Sequence, residues 1–337
     1  FRPENVKSEV FRARTTGRKE FGVVQLMAFT DENRGYPFTV DFSGMDRTME
    51  MIEEVYREKG LPKPVFLSYL PYGIRVIARQ LYGVGHWHHG GVARPFAEQL
   101  ARHLRRTGRE KRFVLKVSDE PSDIARWAEW ARPYREAGLR SMTCHSGNYK
   151  NIEAAVGVME PWCPNYQHNV RRAFFDRRQE AGDEVWWYIC GTPTTRITGQ
   201  LVDNLPFYWL TDKWDFDGCM NYATLHMNEH VYHVPFRYEH GMDHRIAYTP
   251  DGRLLDTMRR ELEVEGIQDY KLIQRVREGV QQLRHEGKDE EAKRIEEQLD
   301  ATIEKVVPYR YGYADTPEAW YDARDVLYDL ATEASGR

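Results

Sequence analysis

Short apolar runs of strand length recur along the chain, and most are followed by polar residues or by a stretch of helical periodicity. The strand-like runs are residues 21–29, 64–70, 112–118, 139–146, 155–162, 184–190 and 216–223. The helical stretches include 45–60, 92–108 and 121–138, and each ends on a glycine. Strands that alternate with helices of this length predict βαβ units and a parallel sheet.

The number of strand-like runs favours one architecture over its main competitor. Seven or eight strands in about 250 residues is the scale of a TIM barrel. A doubly wound open sheet is the alternative, but neither a G-x-G-x-x-G nor a Walker-type loop follows any run. We therefore expect an α/β fold in which residues 1–275 form a (β/α)8 barrel.

The character of the chain changes after residue 253. Charged amphipathic patterns predict long helices over 253–287, 289–307 and 316–334, with Thr316 as a cap and Pro317 in the first turn of the last helix. We expect residues 276–337 to form a C-terminal helical appendage that packs on the barrel.

Composition excludes two classes of function. The net charge is −4 with both signs interspersed, which does not suggest a nucleic-acid-binding surface. No apolar run approaches the roughly 20 residues that span a membrane. Nine Trp and twenty Tyr lie mostly beside polar residues, a distribution that favours ring stacking in an open binding site.

The cysteines and the N-terminal residues give little information about function. Cys144, Cys163, Cys190 and Cys219 stand singly without a C-x-x-C pair, so buried free thiols are expected and a disulfide remains open. The chain begins at Phe1 and shows no signal-peptide pattern.

The stretch "RFVLKVSDEPSD" ends an apolar run on two adjacent carboxylates, Asp119 and Glu120. Neighbours on a strand face opposite sides, so both can serve one site only if the chain turns there. Pro121 makes a turn plausible because it disfavours helical backbone at Glu120. The alternative is structural: Asp119 caps the following helix, and Glu120 is simply exposed to solvent.

Adjacent carboxylates suit one glycosidase mechanism better than the ordinary one. Most glycosidases place two carboxylates on opposite faces of the scissile bond, which neighbouring residues cannot easily do. In substrate-assisted hydrolysis, the 2-acetamido oxygen of the sugar attacks the anomeric carbon. One carboxylic acid then protonates the leaving oxygen, and the other carboxylate orients the acetamido group.

Further polar and aromatic residues follow the strand-like runs, where the active site of a barrel lies. As sugar contacts we expect residues of "GHWHHGG", "CHSGNY" and "EPWCPNY", namely His86, His88, His145, Asn148, Trp162, Asn165 and Tyr166. A metal at the histidine loop would need converging ligands from elsewhere, so we expect no metal and no cofactor. Glu160 is the best alternative second carboxylate.

Four segments together resemble the catalytic domain of glycoside hydrolase family 123 and its relatives. They are "VLKVSDEPSD", then "EVWWYICGTP" followed by "WLTDKWDFDGCMNYA", and finally "LLDTMRRELEVEGIQDYKLI". They span about residues 112–273 in the order typical of that family.

The resemblance implies a (β/α)8 barrel and an exo-acting, retaining β-N-acetylgalactosaminidase-type enzyme. Glu120 would be the general acid/base, and Asp119 would hold the acetamido group. Substrate-binding residues implied by the later segments are Trp187, Tyr188, Trp214, Asp217 and Tyr222. The implied substrate is a β-linked amino sugar of a glycan or glycolipid, and a secreted or periplasmic location is favoured.

Two other functions stay open at this point. One is a barrel glycosidase for a sugar without an acetamido group, in which Glu120 acts with Glu160 or Asp217. The other is a carbohydrate-binding barrel without catalytic activity.

Overall fold

The computed structural model describes residues 28–30, 38–71, 73–83, 90–145, 151–165, 172–190, 204–222, 246–248, 253–309 and 312–335. The chain divides into two compact units. The first comprises Phe1–Cys163 and Ala173–Glu184, and the second comprises Pro164–Arg172 and Val185–Arg337. No helix within the described ranges is both long and apolar enough to cross a membrane.

The first unit contains a three-stranded parallel sheet with helices between its strands. The strands are β1 (Ala28–Thr30), β2 (Thr39–Asp41), β3 (Phe66–Tyr69), β4 (Phe113–Lys116) and β5 (Arg140–Met142). The helices are α1 (Ser43–Glu58), α2 (Gly73–Tyr82), α3 (Gly90–Arg106), α4 (Ile124–Glu136) and α5 (Arg172–Glu180), the last belonging to this unit from Ala173 onward. β3, β4 and β5 pair in parallel in chain order, whereas β1 and β2 pair antiparallel.

Glycines end three helices of this unit as predicted. Gly60, Gly108 and Gly138 have φ angles of +64°, +66° and +91°. Such left-handed residues let the chain leave a helix at little steric cost. The parallel sheet lies in the core of this unit, because all four residues of its central strand, β4, are buried.

The second unit has a parallel pair of strands and a layer of long helices. β6 (Trp186–Cys190) and β7 (Gly218–Tyr222) pair in parallel and are connected through α6 (Pro206–Lys213), while β8 (Ile246–Tyr248) and β9 (Leu254–Asp256) pair antiparallel. The long helices are α7 (Met258–His285), α8 (Asp289–Val306) and α9 (Pro317–Ala334).

A buried ion pair joins three helices of the second unit. Asp269 in α7 accepts from the Nε and Nη2 atoms of Arg324 in α9 at 2.6 and 3.0 Å. Trp209 in α6 donates its indole N–H to the same carboxylate at 3.1 Å. Asp269 is almost completely buried, so these three groups replace the water that its charge would otherwise require.

The fold is mixed α/β and rich in helices, with small parallel sheets, as the alternating pattern predicts. Two details of the prediction are wrong. The run 155–162 is not a regular strand, because a short 3-10 helix covers Ile152–Ala155. The first hydrogen bond from this run to β5 is the one from the Glu160 N–H to the Ser141 carbonyl. The helix predicted from residue 253 begins at Met258, because Leu254–Asp256 pairs with β8.

Candidate active site

Asp119 and Glu120 lie where the chain turns after β4. Beyond the strand, the Val117 N–H still donates to the Met142 carbonyl at 3.0 Å, and the Glu120 N–H donates to the Cys144 carbonyl at 3.0 Å. Glu120 has a φ angle of +39°, and both carboxylate residues are exposed to solvent. The turn expected before Pro121 is therefore present, at the carboxyl end of a buried parallel strand.

The backbone at Glu120 is strained. A positive φ is uncommon for a residue with a side chain and costs on the order of 1–3 kcal/mol. Strain of this kind persists where the surrounding structure enforces it, and here the hydrogen bond to Cys144 holds the Glu120 amide. The alternation of an ideal strand is broken at this point, so Asp119 and Glu120 are not forced onto opposite faces.

The structural alternative for Asp119, a cap on the next helix, is wrong. α4 is capped by Asp123, whose Oδ1 accepts from the Arg126 N–H at 3.2 Å. The Asp119 carboxylate instead forms an ion pair with Lys116, with Oδ1 2.7 Å from Nζ. Asp119 thus belongs to a group of side chains at the end of the sheet.

Lys116 is a buried cation directly beneath the carboxylate pair. Its side chain is only 4% exposed, whereas that of Asp119 is 53% exposed. Nζ also donates to the Tyr69 hydroxyl at 2.8 Å and lies 4.6 Å from the centre of the Tyr69 ring. Burial alone would lower the pKa of Lys116, but Cys144, Asp119 and Tyr69 together raise it above its usual value.

The Cys144 thiol lies beside this lysine, and the Cys163 thiol is hydrogen-bonded to Cys144. Cys144 and Cys163 are buried, and neither forms a disulfide. A hydrogen bond from the Cys163 thiol, together with the nearby positive charge of Lys116, lowers the pKa of Cys144 despite burial. The expected free thiols are present at these positions and at Cys219, and the side chain of Cys190 lies outside the described residues.

Glu160, the alternative second carboxylate, lies at the opposite end of the sheet. Its N–H donates to the carbonyl of Ser141, near the beginning of β5. Its carboxylate is 2.8 Å from Arg135 and 3.9 Å from Arg140, the first residue of β5. In the first unit, Glu160 therefore does not face Glu120, which follows the far end of β4.

Two predicted sugar contacts of the first unit are buried among aromatic side chains. His145 is stacked on Phe175 with ring centres 6.0 Å apart, and burial lowers its pKa to about 3. Trp162 donates its indole N–H to Asp183 at 2.8 Å and packs edge-on against Phe174. Neither ring is exposed in this structure.

Trp187 and Trp214 of the second unit are in contact with each other and with other rings. Trp187 is fully buried, stacks on Phe207 with ring centres 4.7 Å apart, and donates its indole N–H to Thr211 at 2.9 Å. Trp214 lies 5.0 Å from it, centre to centre. The structure brings these two residues together, but in the packing between β6 and α6.

The other predicted residues of the second unit have different surroundings. Asp217 precedes β7, and its carboxylate accepts from the Val185 N–H at 2.7 Å, which is a structural contact at the beginning of the strand. Asn165 and Tyr188 are buried and form a parallel bridge. The remaining predicted contacts, His86, His88, Asn148, Tyr166 and the side chain of Tyr222, lie outside the described residues.

The second unit also contains a pocket that the sequence did not predict. Its volume is about 250 Å³, and it is lined by Asp217 and Cys219 at the beginning of β7 and by Glu263 and Tyr270 of α7. Within the part of the chain that the structure describes, no group of three His, Cys, Asp or Glu side chains could hold a metal ion.

Sequence reasoning missed Lys116 and Tyr69 as members of the site. One signal was present: Lys116 is the single charged residue inside the apolar run 113–117. A lysine within a buried strand requires a nearby anion, and Asp119 is the first carboxylate after it.

Comparison with known proteins identifies a family and similar solved structures. Residues 6–276 match the model for glycoside hydrolase 123, catalytic domain. The structure resembles that of a family 123 glycoside hydrolase from Clostridium perfringens, studied for glycolipid glycan hydrolysis, with 14% sequence identity and a TM-score of 0.56. The match covers 91% of this chain and 58% of that chain. No curated protein matches the sequence.

Proposed function

This chain belongs to glycoside hydrolase family 123 and is a glycosidase, and we propose that it is an exo-acting, retaining β-N-acetylhexosaminidase that resembles a β-N-acetylgalactosaminidase. The proposed reaction uses the 2-acetamido group of the substrate as the nucleophile. The observation that carries the proposal is the exposed Asp119–Glu120 pair on a turn at the carboxyl end of β4.

Glu120 is the general acid in the first step. It donates a proton to the glycosidic oxygen while the bond from that oxygen to the anomeric carbon breaks. The acetamido carbonyl oxygen attacks the same carbon from the other face and forms a cyclic oxazolinium intermediate. No second carboxylate is needed on the far side of the sugar, in agreement with the distant position of Glu160.

Asp119 acts on the acetamido nitrogen. Its carboxylate accepts the N–H hydrogen bond, which directs the carbonyl oxygen towards the anomeric carbon and stabilises the positive charge that develops on the ring. In the second step, Glu120 removes a proton from water, and the water opens the intermediate. Two inversions at one carbon give a product with retained configuration.

The proposed setting for this chemistry is a (β/α)8 barrel over residues 1–275, with residues 276–337 as helices packed on it. Three pairs of strands that are adjacent in sequence are parallel: β3 with β4, β4 with β5, and β6 with β7. This order is expected of a barrel, in which each strand lies beside the next one along the chain. The residues at its mouth would bind the remainder of the sugar.

The proposed substrate is a β-linked amino sugar at the end of a glycan or glycolipid. The structural analysis of the Clostridium perfringens neighbour concerns the hydrolysis of glycolipid glycans. An acetamido group is essential to the proposed mechanism, whereas the configuration at the other ring carbons is a matter of contacts at the mouth.

Three aryl glycosides test this function: β-N-acetylgalactosaminide, β-N-acetylglucosaminide and plain β-galactoside. We expect turnover of an acetamido sugar only, and a loss of activity in Glu120→Gln. A thiazoline that mimics the cyclic intermediate should inhibit. Turnover of the plain galactoside, or full activity of Glu120→Gln, would contradict the proposal, and binding without turnover would indicate a carbohydrate-binding module.

A further inference from the structure

Lys116, a buried lysine, contacts one of the two exposed carboxylates, Asp119. We infer that Lys116 is a positioning residue for Asp119, an inference that rests on the proposed function. Its ammonium group holds Oδ1 of Asp119, so that Oδ2 is the oxygen that accepts the acetamido N–H of the substrate.

The geometry of Lys116 is that of a fixed support. Val114 and Lys116 point to the same side of β4, because side chains alternate along a strand. The lysine stem is packed within the sheet, with only 4% of the side chain exposed. Its Nζ atom is held between the Asp119 carboxylate at 2.7 Å and the Tyr69 hydroxyl at 2.8 Å.

Asp119 needs such a support because its backbone does not fix the orientation of its side chain. It lies on a bend and is half exposed, so its side chain could take several rotamers in water. A charge-assisted hydrogen bond from an immobile donor restricts those rotamers. The gain is realised in the transition state, since a preoriented carboxylate does not have to reorganise as charge develops on the substrate.

The same contact distinguishes the two carboxylates. Lys116 forms an ion pair with Asp119, and the proposed mechanism requires Asp119 as an anion. The neighbouring Glu120 is turned by its positive φ and is the residue required as a proton donor. One buried cation thereby separates the roles of adjacent side chains of similar chemistry.

Tyr69 completes the arrangement from the neighbouring strand. It is the last residue of β3 and is paired in register with Lys116. Its hydroxyl accepts one N–H of the ammonium group, and its ring covers the lysine. Tyr69 therefore orients Lys116, which in turn orients Asp119.

A double-mutant cycle tests the inference with the aryl acetamido substrate. Lys116→Met, which keeps the length of the side chain, should lower kcat on the order of ten- to a hundredfold, the usual contribution of a hydrogen bond to a charged group. KM should change little, because the interaction acts on the transition state. In an Asp119→Asn background, the same lysine change should have less than about a twofold effect.

Tyr69→Phe is a second variant that keeps the fold. Its side chain is half exposed and loses only one hydroxyl, so we expect a loss of roughly two- to fivefold in kcat, again absent in the Asp119→Asn background. Tyr328→Phe is the matched control, because Tyr328 is 52% exposed against 51% for Tyr69 and lies on α9. The dissociation constant of the thiazoline is measured in every background, so that variants too slow to assay are compared by binding.

The outcomes separate the inference from the function on which it rests. Equal effects of Lys116→Met with and without Asp119, or no effect at all, would show that Lys116 is a structural residue only. Absence of acetamido-sugar turnover in the wild-type protein would instead reject the proposed function. Coupling between Lys116 and Asp119, with folded variants by circular dichroism, would support the inference.

Discussion

Glu160 and Arg135 form an ion pair, with Oε2 2.8 Å from the guanidinium group. The pair lies at the beginning of the strands in the first unit, whereas Asp119 and Glu120 follow the end of β4. A carboxylate placed there has a partner and a structural task, and it cannot act on a sugar bound beside Glu120 in this unit.

Glu160→Gln should therefore leave catalysis nearly intact. We expect kcat within about twofold of the wild-type value and a loss of at most about 1 kcal/mol in the free energy of unfolding, typical of a partly exposed ion pair. Glu136→Gln is the control, since Glu136 pairs with Arg94 at 2.6 Å on the surface. A loss of activity in Glu160→Gln comparable to that of Glu120→Gln would restore the mechanism with two opposed carboxylates.

Asp123→Ala should destabilise the protein without a direct effect on the reaction. The Asp123 side chain caps α4 by accepting the Arg126 N–H, and loss of such a cap costs about 1 kcal/mol. Thr316→Ala is a matched control, because Thr316 occupies the cap position of α9 without a side-chain hydrogen bond. Urea unfolding should show a smaller effect for Thr316→Ala, and equal effects would contradict the cap.

Stability should fall at acidic pH in part because of His145. Burial lowers its folded-state pKa to about 3, while the unfolded residue titrates near 6.5. Below pH 6.5 the unfolded state binds the proton and the folded state does not, so stability decreases as the pH falls from 6.5 to 3. Between pH 7 and pH 5, this group should cost about 2 kcal/mol.

The test compares how steeply the free energy of unfolding changes with pH in the wild type and in a variant without this histidine. His145→Gln removes the titration, so the free energy of unfolding of this variant should change less between pH 7 and pH 5 than that of the wild type. The difference in slope is independent of any constant cost of the substitution. Parallel curves for the two proteins would show that the pKa of His145 is not lowered in the folded state.

The ion pair between Asp269 and Arg324 should contribute far more to the free energy of unfolding than the ion pair between Glu265 and the same arginine. Asp269→Ala leaves Arg324 without its buried partner, and removal of one partner of a buried pair costs about 3–5 kcal/mol. Glu265→Ala is the control: Glu265 binds the same arginine at 3.2 Å, but its side chain is 38% exposed, so we expect less than about 1 kcal/mol. Thermal and urea unfolding provide the comparison.

The parts of the fold that depend on local chemistry could be predicted from the sequence. Gly60, Gly108 and Gly138 end their helices because each adopts a left-handed backbone that other residues rarely take. Pro121 indicates that helical backbone does not continue through Glu120, although the left-handed φ of +39° observed there does not follow from that restriction. α2 (Gly73–Tyr82) was missed, although Ile74, Ile77 and Ala78 have helical spacing and are buried.

The parts that depend on tertiary partners could not be predicted. A tryptophan can stack on a sugar or fill a core, and its residue type does not distinguish the two. Trp187 is in the packing of α6 because Phe207 and Thr211, twenty residues or more along the chain, receive its ring and its N–H. Likewise, the partner of Lys116 on β3, Tyr69, is set by strand register.

The left-handed backbone at Glu120 has a consequence for protein engineering. Glycine accepts a φ of +39° without the steric cost that glutamate bears there. A library screened only for heat resistance would therefore enrich Gly at position 120, and its most robust members would lack the carboxylate that we propose as the proton donor. Stabilised versions of this enzyme should be selected with turnover as a simultaneous criterion.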